Sequence, residues 1–371
     1  VYPYKEGMSV AEKPVVMKRH RAMVSIILNR PEALNSLNVD MIRLLTAYVQ
    51  EALADPDCRF ILFYGNGKKG FCAGADIKEL GQAAMAGDEI RLLHFFKAEY
   101  ALDLMIHKAA KPFIVLAEGI TMGGGLGIAA GADLVVAAAS TLMAMPETLI
   151  GFFPDVGATG WMFTRCPPGY PEYLGLTGYR ASGPECVRLG LATHWTRSEN
   201  IPSMIRKLEN YSPDRNLPRP VLTGMLTRQL AAFFTPAVPS DPEMDAWVIR
   251  HFSGKRTVND VVFSLGRCEA YDISCDQALR SITERSPTAL ALTLLLLRRN
   301  EHRTLDEVFE SELKAARYMS QHPDYAEGIR ARIIDRDNKP RWQPDSHDAV
   351  NIAGIDWERS SSPSWADDTD R

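Results

Sequence analysis

Residues 113–157, FIVLAEGITMGGGLGIAAGADLVVAAASTLMAMPETLIGFFPDVG, constrain the fold more than any other stretch of the chain. An apolar run, Phe113 to Leu116, leads into Gly123-Gly124-Gly125. A small-residue segment and a second apolar run follow, and then a loop carries Glu147 and Asp155 among Pro146 and Pro154. Glycines at the turn let backbone approach a ligand closely, and a helix that begins there exposes its first N–H groups. Amide donors beside two acids suit a developing oxyanion together with proton movement or nucleophilic attack.

The flanking sequence fits that stretch into α/β layers. Val15–Lys18 and Met23–Leu28 read as two strands of a hairpin around His20-Arg21. Ser36 or Asn38 can cap a helix over Val39 to Ala54, where Met41, Leu44, Leu45, Val49 and Leu53 recur at helical spacing. Phe60–Tyr64 is a short apolar strand ended by GNGKKG. FCAGADIKEL then enters a helix, and a second helix is predicted over Asp88–Lys108. Strand and helix thus alternate up to Phe113, the pattern of a layered α/β fold. Beyond Asp155 two short helices flank the turn at Ser182-Gly183-Pro184, and from about residue 200 the chain reads as mainly helical. A Pro-rich connection, FFTPAVPSDPEMD, interrupts that region, and Thr304–Gln321 is a clear amphipathic helix. The organisation expected is a core over 14–200, a mainly helical region over 201–345 and a flexible tail over 346–371, whose end ERSSSPSWADDTDR is polar.

Bulk properties exclude several classes. With 371 residues the chain can bury a substantial core. A net charge of −4 argues against a dedicated nucleic-acid binder. Its longest apolar run, around Ala289–Leu297, is about half the ~20 residues that span a bilayer. The N-terminus lacks the pattern of a signal peptide, and Met8 is a candidate native start after residues 1–7. Cys58, Cys72, Cys166, Cys186, Cys268 and Cys275 form no CxxC and no metal-like pairing with histidine. They read as incidental thiols of a reduced intracellular protein without a metal. The expected location is cytoplasmic, or the mitochondrial matrix if a transit peptide has been removed.

Gly125-Leu126-Gly127-Ile128-Ala129-Ala130 formally fits the dinucleotide pattern GxGxxG/A. It follows several other elements instead of opening a βαβ unit, and the acid some twenty residues on, Glu147, sits in a proline-flanked loop. A second small-residue loop, Phe71-Cys72-Ala73-Gly74-Ala75-Asp76, changes the reading. Two such loops, each following a strand and opening a helix, can aim two backbone amides at one carbonyl oxygen. Such a donor typically contributes ~3 kcal/mol of transition-state stabilisation.

LNRPEALNSLN, GFCAGADIKEL, GITMGGGLGIAAGADLVVA and MPETLIGFFPDVGATG stand in the order and at the spacing of the crotonase (enoyl-CoA hydratase/isomerase) superfamily, which residues 14–200 resemble. PETLIGFFPDVG, RSPTALALTL and HPDYAEGIRARIIDRDNKPRW resemble its 3-hydroxyisobutyryl-CoA hydrolase branch and extend the likeness to about residue 345. The fold this implies is an α/β, crotonase-like ββα spiral with a helical C-terminal region.

The resemblance also implies a site. The amides of Ala73 and Gly124 would grip a thioester carbonyl, and Ala73, Gly74, Ala75 and Asp76 would lie along CoA. Hydratases of the superfamily carry a glutamate three residues beyond the second oxyanion glycine, where this chain has Gly127. Their second glutamate matches Glu147. The hydrolase branch has an aspartate where hydratases have glycine, and Asp155 matches it; Glu99 matches a substrate-contacting acid of that branch. The implied activity is hydrolysis of 3-hydroxyisobutyryl-CoA in valine breakdown, with no cofactor beyond the CoA of the substrate, no metal, and homo-oligomerisation as a family habit. Glu147 can attack the carbonyl to form an acyl-enzyme anhydride or can deprotonate water, and Asp155 can orient the 3-hydroxyl or assist proton transfer. Ala158-Thr159-Gly160-Trp161-Met162 depart from the branch pattern near the acyl end. The rival readings are an enoyl-CoA hydratase or isomerase and a non-catalytic acyl-CoA- or RNA-binding relative.

Overall fold

A computed structural model describes residues 13–213, 217–236, 238–268, 273–355 and 357. Residues 1–7, Met8 and the polar end of the tail, 358–371, on which expectations were placed, lie outside them. The elements up to the first site loop are β1 (Val15–Arg19), β2 (Met23–Leu28), α1 (Val39–Ala54), β3 (Phe60–Gly65) and β4 (Gly70–Cys72). α2 (Ile77–Met85), α3 (Glu89–Lys108), β5 (Phe113–Ala117), β6 (Ile120–Met122), α4 (Gly124–Gly131), β7 (Leu134–Ala138) and β8 (Leu142–Ala144) follow. α5 (Ala158–Arg165), α6 (Tyr170–Thr177), β9 (Ala181–Ser182), α7 (Glu185–Arg188) and β10 (His194–Thr196) complete the α/β part. The remainder is helical: α8 (Ile201–Glu209), α9 (Arg219–Leu230), α10 (Pro242–His251), α11 (Val258–Leu265), α12 (Ile273–Thr283), α13 (Pro287–Asn300), α14 (Leu305–Gln321) and α15 (Pro323–Ile329).

α1 has the bounds its periodicity predicts. Of its two capping candidates Asn38 is the cap, its side chain accepting from the Met41 N–H at 2.9 Å. Thr304 and Glu307 form a capping box at the start of α14.

The ββα repeat is visible in how the strands are shared out. A six-stranded sheet runs β1-β2-β3-β5-β7-β10 and a four-stranded sheet runs β4-β6-β8-β9. Each turn of the spiral gives its first strand (β3, β5, β7) to the large sheet and its second (β4, β6, β8) to the small one, with parallel pairing within each set. Because strand side chains alternate between faces, the apolar runs serve two cores. Ile61, Phe63, Val115 and Val135 enter the main core, whereas Phe60, Leu62, Ile114 and Val136 meet Met204, Leu208, Leu222 and Leu226 of α8 and α9 on the other face. That double burial is why the strands read as continuous apolar runs.

The later helices do more than extend the chain. α14 packs along α3, α13 packs on α5 and α6, and α15 reaches α2 and the 3-10 turn Glu147–Ile150. Among the described residues, no helix is long and apolar enough to cross a membrane.

Candidate active site

The C-terminal ends of three parallel strands meet at one place: Cys72 of β4, Met122 of β6 and Ala144 of β8. Ligands of open α/β sheets bind outside such ends. The loop after β4 and the turn after β6 are in contact, since a Cβ on Gly74 would lie 2.9 Å from the Met122 carbonyl oxygen and 3.4 Å from the Gly124 nitrogen. Gly123 turns the chain with φ +50°, and a Cβ there would fall 2.9 Å from Glu147 Oε1. Gly124 opens α4, so its N–H has no intrahelical acceptor and is available to a ligand.

The second expected amide is otherwise engaged. The Ala73 N–H donates to the Leu34 carbonyl at 3.0 Å. Leu34 lies in the left-handed region at φ 52°, and that turn brings its carbonyl across to the loop. Within the same loop Gly74 accepts from the Leu37 N–H at 2.8 Å, and Ala75 bridges Leu37. Asp76 is neutralised by Arg30, whose Nη2 lies 2.9 Å from Asp76 Oδ2. Arg30 belongs to the LNRPEALNSLN motif, yet nothing in that motif alone marked it as the partner of Asp76.

The expected acids converge. Glu147 starts the 3-10 turn after β8; its Oε2 is buried without a partner among the described residues. Arg285 Nε anchors the turn by donating to Thr148 Oγ1 at 2.9 Å. Asp155 is 6% exposed and accepts from Tyr100 Oη at 2.8 Å. It precedes Val156, a β-branched residue at φ 52°, and Gly157 at φ 79°. A β-branched residue in that region is a local strain that the surroundings must hold. Glu99, on α3, is 2% exposed, and its Oε1 lies so near Gly124 that an added Cβ would come within 2.0 Å of it.

Two more acids were not singled out in the sequence. Asp103, four residues beyond Glu99 on α3, is fully buried, and neither of its oxygens has a hydrogen-bond partner among the described residues. Glu312 of α14 reaches the Asp155 loop, accepting from the Gly157 N–H (2.7 Å), the Thr159 N–H (3.1 Å) and Thr159 Oγ1 (2.5 Å). The signal for both was an acid on the apolar stripe of a helix. Asp103 follows Glu99 at helical spacing, and Glu312 sits between Val308 and Ala316.

Burial raises the proton affinity of the whole group. It pushes Asp155 up to about 7 against the opposing hydrogen bond from Tyr100. Glu312 rises to about 8, again through burial, although the Thr159 hydroxyl and the two amides favour its ionised form. Burial, followed by the charge of Asp155, raises Glu147, Glu99 and Asp103 well above the usual carboxylate range. Acids that hold protons near neutrality, beside an open helix amide, can donate as well as accept protons.

The cysteine reading needs revision. His251, Cys268 and Cys275 converge, with their ligating atoms within 4.8 Å of one another. The pairing with histidine that linear spacing concealed is therefore present in space. The two sulfurs are joined in a disulfide, so they are not both free to hold a metal, and Cys58, Cys72, Cys166 and Cys186 are free thiols.

A parallel-strand spiral with buried acids at the strand ends and an open glycine amide among them defines an enzyme site for an activated acyl group. The chain belongs to the enoyl-CoA hydratase/isomerase family, whose model matches residues 23–357. It is 36% identical over 332 residues to the mitochondrial 3-hydroxyisobutyryl-CoA hydrolase of Xenopus laevis, a match covering 89% of this chain and 84% of that one. The human mitochondrial 3-hydroxyisobutyryl-CoA hydrolase is 34% identical over 336 residues, covering 90% and 85%. A carnitinyl-CoA dehydratase from Mycobacterium thermoresistibile superposes with a TM-score of 0.82 at 30% identity, covering 93% of this chain and 95% of that one. An enoyl-CoA hydratase from Rhodobacter sphaeroides 2.4.1 superposes with a TM-score of 0.80 at 30% identity, covering 92% and 95%.

Proposed function

We propose that the chain hydrolyses a CoA thioester, with 3-hydroxyisobutyryl-CoA as its substrate. The observation that carries this is the placement of Glu147: its carboxylate lies against Gly123, immediately before the open Gly124 amide. A thioester oxygen accepting from the Gly124 N–H would present its carbonyl carbon to Glu147. Attack by Glu147 forms an acyl–carboxyl anhydride and expels CoA as a thiolate, and water then cleaves the anhydride to regenerate Glu147. Alternatively Glu147 takes a proton from water, and the resulting hydroxide adds. In both routes the thiolate needs a proton, and Asp155, protonated near neutrality and held by Tyr100, is the donor we assign. Glu99 would contact the acyl group from α3, and Ala73, Gly74, Ala75 and Asp76 would border CoA. The reaction as proposed requires no cofactor beyond the CoA of the substrate.

The similarity to a hydratase and a dehydratase supports a second reading, addition or removal of water at a double bond. It is disfavoured by Gly127, where a Cβ would lie 2.6 Å from Val156 Cβ, leaving no room for a glutamate at that position. The hydrolase relatives are mitochondrial by name, which supports the matrix alternative for this chain.

Release of free thiol from 3-hydroxyisobutyryl-CoA, followed with a thiol reagent, tests the proposal. Glu147→Gln is expected to lower turnover by ~10²-fold or more while CoA-ester binding is kept. Near-normal turnover in that variant would remove Glu147 from the mechanism. Hydration of crotonyl-CoA without thiol release from the hydroxyacyl ester would replace the hydrolase reading with the hydratase one.

A further inference from the structure

Asp103 has no role in the mechanism above, and its surroundings call for one. The residue is fully buried on α3, and neither oxygen has a partner among the described residues. Buried polar groups are normally satisfied, so a carboxyl with both oxygens idle is set up for something absent from the free protein. The charged groups that bear on it, Asp155 and Glu312, are acids and cannot neutralise it.

Its position along α4 says what that something is. Glu99 and Asp103 stand four residues apart on one face of α3, and α3 packs along α4. Glu99 lies against Gly124, whereas Asp103 lies against Gly127, where an added Cβ would meet Asp103 Oδ2 at 2.8 Å. Three residues of helix advance ~4.5 Å. An acyl chain that ran along α4 from a carbonyl held at the Gly124 N–H would come within reach of Asp103, past the point where Val156 closes the other side. That advance matches the reach from a thioester carbonyl to a polar group on the third carbon of the acyl chain.

We infer that Asp103 is a specificity-determining residue that hydrogen-bonds a hydroxyl on the acyl group and thereby selects hydroxyacyl over plain alkyl thioesters. The inference rests on the thioester reading and names the feature of the substrate that the site selects. A site with a buried polar group left unpaired by the wrong substrate discriminates far more strongly than an apolar pocket does. Gly127 is part of the same arrangement: any side chain at 127 would occupy the space that Asp103 fills from the neighbouring helix.

The test compares 3-hydroxyisobutyryl-CoA with isobutyryl-CoA, two esters that differ by that one hydroxyl, in wild type, Asp103→Asn and Asp103→Leu. The readout is the ratio of kcat/KM for the two esters within each protein, which is insensitive to the fraction folded. The wild type is expected to prefer the hydroxy ester by ~10²-fold or more. Asp103→Asn, which keeps hydrogen-bonding capacity, should stay within about fivefold of that ratio, and Asp103→Leu should lower it at least about tenfold. A ratio unchanged in Asp103→Leu overturns the proposal and leaves Asp103 a structural acid. The Kd ratio for the same two esters, measured by calorimetry in the Glu147→Gln background, decides the matter independently of turnover. If wild type releases thiol from neither ester, the hydrolase reading fails, while a Kd ratio lost only in the Leu variant still upholds Asp103. If that ratio also persists in the Leu variant, both fall.

Discussion

Gly127 is the position at which this chain parts from a hydratase, and the reason is steric as well as chemical. A side chain there would collide with Val156 Cβ at 2.6 Å and Asp103 Oδ2 at 2.8 Å, so the acid that is missing cannot simply be put back. Gly127→Glu is expected to destabilise the protein, since overpacking of a filled interior costs ~1–3 kcal/mol. It would also add a carboxyl beside Asp103, whose proton affinity is already raised by burial and neighbouring acids. The variant should melt several degrees lower and should not hydrate crotonyl-CoA. Hydration activity in a stably folded Gly127→Glu protein would show that the pocket has room and that the loss of that acid alone separates the two chemistries.

Glu312 shows what the C-terminal helices contribute to the site. Its carboxylate takes two backbone N–H groups and a hydroxyl at the start of α5, immediately after Asp155 and the strained Val156. Thr159 Oγ1 in turn accepts from Asn300 of α13, so α13 and α14 together fix the loop. Glu312→Ala leaves two buried N–H groups without an acceptor and should cost about 3 kcal/mol, whereas Glu312→Gln, which keeps an acceptor oxygen, should cost about 1 kcal/mol. Urea denaturation measures both. Because the loop carries Asp155, the alanine variant should lose kcat more than it raises KM. Equal stability in the two variants would mean that the carboxylate is not the clamp. These long-range partners are also what the sequence hid. Periodicity made α1, α3 and α14 legible because each has one apolar face, and the continuous apolar runs of β3, β5 and β7 exposed the large sheet. The second strands, β4, β6 and β8, are three residues each, too short to show a period. Glycine loops and the acids Glu147, Asp155 and Glu99 could be named from local motifs. Asp103, Glu312 and Arg285 act across 24 to 155 residues of chain, and the engagement of the Ala73 N–H by Leu34 depends on a left-handed turn that no motif announces.

Five acids, Glu99, Asp103, Glu147, Asp155 and Glu312, share one buried region, and their collective titration ties stability to activity. Each has a folded-state proton affinity raised by burial, with Asp155 at about 7 and Glu312 at about 8. In the unfolded chain Asp and Glu titrate near ~4. Between those limits the native state binds more protons than the unfolded one, so unfolding free energy falls as pH rises, by ~1.4 kcal/mol per pH unit for each whole proton of difference. His107 works against this on the acid side: burial holds it down to about 4, below its usual value of ~6.5, and it adds stability as pH rises through that interval. Above ~6.5 an imidazole is neutral in both states, while Asp155 and Glu312 still titrate. The melting temperature should therefore decline as pH rises from 6.5 through about 8, with Glu312→Gln flattening the upper part of the decline. Turnover should fall over the same interval, because Asp155, the donor assigned to the leaving thiolate, loses its proton there. Thermal melts and thiol-release rates collected on one pH series test both. A melting temperature that rises from pH 6.5 to pH 8 would mean that these acids are already ionised in the folded protein, and the protonated Asp155 assigned to the leaving thiolate would have to be given up.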